Sequence, residues 1–492
     1  MLPVSLAAFH VARLWIESGV SPFSAVRALL AVVVLALIVS ATSLVILRQP
    51  GQASLAATFA LFGLLAWPVF PQLAVAGLLI VLVVGVLPRV LKTPFPWRLV
   101  TPAGNALALI LMLTLGIRAA QNGTLAQLPN DIGWAVAGAM PRAGAQAGPP
   151  PDIYLLMLED YPRADVLERV FGYDNGPFLS ALEDRGFVVS ARARSNYANS
   201  ALTLLTMFQA RHIEDIRELD DLRLRGVGDR YPLVRALTNA GPVLDLLRDR
   251  GYTIIATDPG YEQLTVRAAD RFFASGHLDD FEREVLQASA FAPLADAIGA
   301  GVISGQLRDR THAQFAYLST LAREGSDGPR FVFVHVPVPH PPVVFGPNGE
   351  PVDVRLVEAY FAQLADPRFG ELYTGQVQYL NGLVLKAVDE LGAAARPSLV
   401  IVMSDEGMGF ILVSQLSDDQ ADTVRYLFAA RAPGREDLFG QAGTAINVFP
   451  TIAERYLGGG LPRRSDRNYI SSDEAPFAGY EIPNSDAEAL LP

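Results

Sequence analysis

Four apolar stretches in the first 120 residues, at 28–47, 55–70, 73–87 and 99–117, constrain this chain more than any other feature. Each is roughly long enough to be read as a membrane-spanning helix. The second and third are short and parted only by Pro71-Gln72, which reads as a tight hairpin. Charge divides the chain at the same place. Residues 1–150 hold eight Arg and Lys against two Asp and Glu, a net of +6. The whole chain stands at −11, which leaves −17 for residues 151–492. A membrane-embedded first part is thus followed by an acidic, soluble second part. That acidity argues against a nucleic-acid partner, for which a basic patch is required. With no cysteine in the chain, disulfides and thiolate chemistry are excluded.

Basic residues in the short loops set the orientation. Arg48 follows the first stretch, and Arg89, Lys92 and Arg98 lie between the third and fourth. Both loops are then cytoplasmic, and the fourth span leads outward to a domain facing the periplasm or cell exterior. Residues 2–16 are apolar but contain His10 and Arg13, which are costly in mid-bilayer, so four or five spans are open. The expected organisation is a multi-pass transmembrane region at 1–120, a juxtamembrane linker at 121–150 and an extracytoplasmic domain at 151–492 in the inner (plasma) membrane.

The soluble part opens with Asp152-Ile153-Tyr154-Leu155-Leu156-Met157-Leu158-Glu159-Asp160. Six apolar residues in a row, bounded by prolines, read as a buried parallel strand. Further strands are expected at 187–191, 252–257, 330–336, 399–403 and 425–430. Helices are expected at 177–185, 200–209, 241–250 and 372–391. Such alternation predicts an α/β domain whose mostly parallel central sheet is covered on both faces.

Two of these strands end in paired acids. Glu159 and Asp160 close the first, and Asp405 and Glu406, within Ser404-Asp405-Glu406-Gly407, close the strand at 399–403. If the two strands are neighbours, four carboxylates share one edge, where α/β enzymes place their chemistry. Uncompensated, such a cluster repels itself and raises some of its pKa values. A divalent cation is the simplest remedy, and oxygen donors favour Mg²⁺, Mn²⁺ or Ca²⁺ over Zn²⁺. The bland reading is two independent acidic turns.

Between the two lies Asn196-Tyr197-Ala198-Asn199-Ser200, running into an apolar helix. A hydroxyl at a helix start is favoured to hold negative charge or a phosphate, but Ser is also among the commonest N-caps. Ser200 therefore has two readings, nucleophile and cap, and Thr203 one turn on is a weaker candidate. His335-Val336-Pro337-Val338-Pro339-His340-Pro341-Pro342 follows a strand. The prolines hold His340 in an extended loop, placed to contact a phosphoryl oxygen or protonate a leaving group. His335 reads instead as a buried histidine satisfied by backbone.

Strand-end acids, a hydroxyl at a helix start about 40 residues on, a Pro-His-Pro-Pro loop and a late Ser-Asp-x-Gly together resemble the sulfatase/alkaline phosphatase superfamily. More narrowly, the chain is similar to membrane-anchored members such as lipoteichoic acid synthases and phosphoethanolamine transferases. The resemblance covers residues 151–472. It implies an alkaline-phosphatase-like α/β/α fold, with Glu159, Asp160, Asp405, Glu406 and Ser200 as metal ligands. It further implies Ser200 as nucleophile, His340 on the substrate's phosphate, and a ping-pong transfer of a phosphate group. A phospholipid or phosphate-ester donor and an envelope glycan acceptor would be the partners.

Two departures stand out. The transferases carry Asp-His-Gly where this chain has Asp405-Glu406-Gly407, and many relatives have Leu-Asp-Gly where it has Leu158-Glu159-Asp160. Sulfate-ester hydrolysis is disfavoured, because Ser200-Ala201-Leu202-Thr203-Leu204 lacks the Pro and Arg of the formylglycine motif. The leading expectation is metal-dependent transfer or hydrolysis of a phosphate ester in the cell envelope. The alternative is a catalytically degenerate relative acting as a binding or scaffolding component of envelope assembly.

Overall fold

The structure is a computed structural model. It describes residues 2–18, 22–66, parts of 106–117, 150–219, 231–275, 278–290, 302–352, 364, 366–409, 419–434, 438–440, 443–471, 477 and 479–482. The chain forms two compact units, Met1–Ile132 with Leu278–Ala300, and Gly133–His277 with Gly301–Pro492. Residues 278–300, inside the expected soluble domain, thus group with the N-terminal unit.

That unit contains helices Leu2–Ser18, Pro22–Leu47 and Pro50–Ala66. Among the described residues one stretch, Ala25–Leu47, is long and apolar enough to cross a membrane. Ala28, Val32 and Ala36 are buried, whereas Leu30, Val34, Leu37, Ile38 and Val45 are exposed. So large an exposed apolar surface marks a face made for something other than water. The span expected at 55–70 falls partly in the 17-residue helix Pro50–Ala66. The span at 73–87, most of that at 99–117 and the linker at 121–149 lie outside the described residues.

The second unit is built on strands β1 (Asp152–Glu159), β2 (Val188–Val189), β3 (Thr253–Thr257), β4 (Arg271–Phe273), β5 (Arg330–Pro339), β6 (Ser398–Ser404) and β7 (Phe428–Arg431). Their order is β2-β7-β6-β1-β5-β3-β4. β1 pairs in parallel with β5 on one side and β6 on the other, and β7 runs antiparallel to β6. The mostly parallel α/β sheet read from the sequence is present, and β1 is buried along its whole length.

Side chains alternate across a strand, and the two faces fill separately. Ile153, Leu155 and Met157 of β1 join Phe331 and Phe333 of β5 and Leu399, Ile401 and Met403 of β6 in one core. Helix Ser200–Gln209 packs there through Leu204, Leu205 and Phe208. Tyr154, Leu156 and Leu158 point the other way, toward helices Val302–Arg323 and Phe369–Gly392. The first of these two is absent from the periodicity reading. Buried Arg310, Thr311 and Gln314 interrupt its apolar stripe.

At the N-terminal edge of the sheet, Asp152 ties the central strands together. It accepts hydrogen bonds from the Arg330 N–H (3.0 Å), Arg330 Nη2 (3.1 Å) and Arg396 Nε (3.2 Å).

Candidate metal centre and active site

The C-terminal ends of β1, β5 and β6 lie side by side, and the face carrying the Ser200 helix ends in chemistry. Continuing the alternation Ile153, Leu155, Met157 leads to Glu159. The series Phe331, Phe333 leads to His335, and Leu399, Ile401, Met403 to Asp405. Each of the three offers a ligand atom within 4.8 Å of the others, and all are buried.

Local structure sets up this edge. The β1–β5 register shifts between Leu158 and Glu159. Asp160 then turns the chain with φ 53°, a left-handed conformation that non-glycine residues adopt at a cost. Its N–H donates to Asp405 Oδ1 (3.1 Å), and its carbonyl accepts from Tyr373 Oη (2.7 Å). The Ser404 hydroxyl accepts from the Tyr161 N–H (2.8 Å) and donates to the Leu158 carbonyl (2.7 Å), stitching the ends of β1 and β6. Gly407 has to be glycine because a Cβ there would lie 2.1 Å from the Asp422 carbonyl oxygen.

Two readings of Ser200 were open, and the structure separates them. Asn199 is the N-cap, its side chain accepting from the Leu202 N–H (3.1 Å). Ser200 is the first helical residue. Its Oγ donates to Glu159 Oε1 (2.8 Å) and also lies 3.2 Å from Glu406 Oε1. Thr203 takes no part, since its hydroxyl is buried and donates to the Tyr197 carbonyl (3.1 Å).

His335 is not the backbone-satisfied histidine expected. Its Nε2 contacts Glu159 Oε2, and its buried Nδ1 has no hydrogen-bond partner among the described residues. Sheet register is the reason: His335 lies opposite Met157, two residues before Glu159, on the same face. The alternation of β5 gives its face, and only the register with β1 brings it to Glu159. His340 stands at the rim with its side chain 28% exposed, its N–H donating to the Glu159 carbonyl (3.0 Å) and its Nε2 3.6 Å from Asp160 Oδ2.

The electrostatics are unbalanced. Burial works to raise the pKa of Glu159, but His335 outweighs it and holds the carboxyl at about 2. Burial disfavours the charged form of His335, and Glu159 raises its pKa regardless. These two form a compensated pair. Asp405 and Glu406 are left over. Burial first, then neighbouring carboxylate charge, pushes both well above the usual range. Asp405 Oδ2 and Glu406 Oε2 are buried without a hydrogen-bond partner among the described residues. Buried polar atoms left in this way call for an ion or water, and the donor set of carboxylates, a hydroxyl and an imidazole fits a divalent cation. Close by, a Cβ on Gly409 would lie 2.8 Å from Glu406 Oε1 and 3.1 Å from Asp160 Oδ1. The glycine leaves that space open.

No protein-family model matches the chain, and no curated protein matches it either. Among solved structures it is similar to the soluble domain of lipooligosaccharide phosphoethanolamine transferase A from Neisseria meningitidis. That match has 13% identity and a TM-score of 0.42, covering 63% of this chain and 89% of that one. It is similar to the C-terminal periplasmic domain of EptC from Escherichia coli at 11% identity and a TM-score of 0.44, covering 71% and 99%. It is also similar to the lipoteichoic acid synthase LtaP from Listeria monocytogenes at 14% identity and a TM-score of 0.41, covering 65% and 77%. At such distances substrate and activity do not transfer with the resemblance.

Proposed function

We propose that this chain transfers or hydrolyses a phosphate-ester group in the cell envelope through a phosphorylated Ser200. The position of the Ser200 hydroxyl carries the reading. It is relieved of capping by Asn199, opens a buried helix and donates to Glu159 amid surplus carboxylate. The free N–H groups of that helix start favour a phosphoryl group.

In the first step Ser200 Oγ bonds to phosphorus as the bond to the leaving alcohol oxygen breaks. Ser200 has to give up its proton for this. That proton leaves along the hydrogen bond to Glu159 and passes on to solvent, because a carboxyl held at about 2 does not keep it. Glu159, Asp405, Glu406 and Ser200, with Asp160 alongside, would hold a divalent cation, which when bound would supply Lewis acidity to the hydroxyl and to phosphoryl charge. His335 keeps Glu159 in one orientation and brings a nitrogen donor to the cluster. His340, at the rim beside Asp160, protonates the departing alkoxide. In the second step it takes the proton from the acceptor hydroxyl or water as the phosphoserine bond breaks, and Ser200 Oγ regains a proton from solvent. Carboxylate donors favour Mg²⁺, Mn²⁺ or Ca²⁺, and the His335 nitrogen pulls toward Zn²⁺.

The proposed setting, for which the apolar first part is the support, is a multi-pass inner-membrane protein with the catalytic domain outside. The donor would be a phospholipid or other phosphate ester and the acceptor an envelope glycan.

The test is mass spectrometry of the Ser200 peptide after mixing the detergent-purified chain with Mn²⁺ or Mg²⁺ and a panel of phosphate esters. A phosphoryl adduct that disappears, with turnover, in Ser200→Ala is the expected result. Turnover surviving in Ser200→Ala, or a wild-type chain that neither binds cation nor forms the adduct, overturns it and leaves the scaffolding role.

A further inference from the structure

Helix Asp280–Gln287 comes from the middle of the chain but belongs to the N-terminal unit. Its start is closed by a capping box in which Asp279 Oδ1 accepts from the Glu282 N–H (2.8 Å) and Glu282 Oε2 from the Asp279 N–H (3.1 Å). The Glu282 carboxylate is then used a second time, through Oε1, in an ion pair with Arg27 Nε at 2.9 Å. Phe281 and Val285 are buried in the same cluster as Ala28, Val32 and Leu65, and the Ala290 N–H donates to the Leu64 carbonyl (2.6 Å). The short helix is thereby fastened over the start of Pro22–Leu47 and the end of Pro50–Ala66.

The packing is incomplete. A cavity of about 240 Å³ remains, walled by Val32, Leu35, Leu65, Val285 and Leu286, with the paired Arg27 and Glu282 in its lining. Close-packed interiors rarely leave such a space, and its apolar walls give water few partners. Arg27 stands just inside the start of the stretch Ala25–Leu47, and its side chain is 52% exposed while that of its partner Glu282 is 7% exposed. In a spanning helix this is the depth of the lipid phosphates, where Arg and Lys stems run along apolar surface and their heads meet the headgroup layer.

We propose that the cavity holds one acyl chain of a phospholipid from the surrounding bilayer as a resident ligand. The inference rests on Pro22–Leu47 crossing a membrane. Apolar walls select hydrocarbon, and the cation in the lining, Arg27, already has its charge met by Glu282. The exposed apolar faces of the same helix place lipid next to the opening.

The experiment is quantification of phospholipid retained by the full-length chain after extensive washing in detergent. Wild type should keep about one lipid per chain, and Leu286→Trp, which fills the space, should keep roughly fivefold less. If Leu286→Trp aggregates on gel filtration, Leu35→Trp fills the cavity from the Pro22–Leu47 helix instead. A lipid-free wild type, or a folded filled variant that retains as much lipid as wild type, overturns the proposal. A chain that stays monodisperse without any detergent overturns the membrane reading itself.

Discussion

Asp405→Asn should make the metal-free protein more stable and cost it its response to cations. Asp405 Oδ1 accepts from the Asp160 N–H (3.1 Å) and Glu406 N–H (2.9 Å), and an asparagine carbonyl keeps both bonds. What changes is Oδ2, the buried oxygen without a partner, which becomes a neutral amide nitrogen. Glu159 within 4.8 Å repels an ionised Asp405 by at most about 3 kcal/mol at an effective dielectric constant near 20, because His335, equally close, offsets part of it. The sign follows from the raised pKa of Asp405. The metal-free fold binds a proton that the unfolded chain has already released, so its stability falls as pH rises above the usual carboxylate range.

At about pH 8.5 the wild type without metal should therefore melt below Asp405→Asn, by up to about 5 °C for a domain this large. Saturating Mn²⁺ or Mg²⁺ should reverse the order. At a hundredfold over Kd a ligand contributes about 2.7 kcal/mol to the form that binds it. The assay is circular dichroism melting of both proteins, with chelator and with cation. A wild type that is the more stable of the two in chelator, or a cation shift of equal size in both, would show that no carboxylate surplus awaits a metal.

Cation affinity should rise with pH, about tenfold per unit for each proton displaced from Asp405 or Glu406; calorimetry in two buffers reads the protons released, and a flat profile contradicts the electrostatics. Gly409→Ala should weaken cation binding and turnover with little loss of fold, since its Cβ meets Glu406 Oε1. Gly382→Ala, with nothing within 4 Å, is the control and should stabilise by about 0.5–1 kcal/mol. Asp152→Ala strands the buried Arg330 guanidinium and should cost about 3–5 kcal/mol in urea unfolding. A loss well under that range would show Arg330 finding another partner.

The central sheet was legible because its strands are short uninterrupted apolar runs, and burial on both faces requires that of a parallel strand. Glu159, Asp160, Asp405 and Glu406 stood out for the same reason, as charges abutting hydrocarbon. His335 did not. A lone histidine inside Phe331–Val338 resembles a core residue until the strand beside it is known, and its neighbours in sequence are all apolar. Local pattern also left Ser200 undecided, because Asn199 and Ser200 are both good caps and only the backbone shows which of them is outside the helix.

By itself, then, the sequence determined what depends on near neighbours along the chain: an apolar first part, an acidic α/β second part, and which strands end in carboxylates. Periodicity and charge are local quantities, and the helices and strands that express them form wherever the pattern runs. Tertiary structure alone decided which strand ends meet. That β1 lies between β5 and β6, in a register placing His335 and Asp405 beside Glu159, depends on pairings across some 180 and 250 residues. The grouping of Asp280–Gln287 with the N-terminal helices is equally non-local, because it rests on complementary packing and one ion pair between segments far apart in the chain.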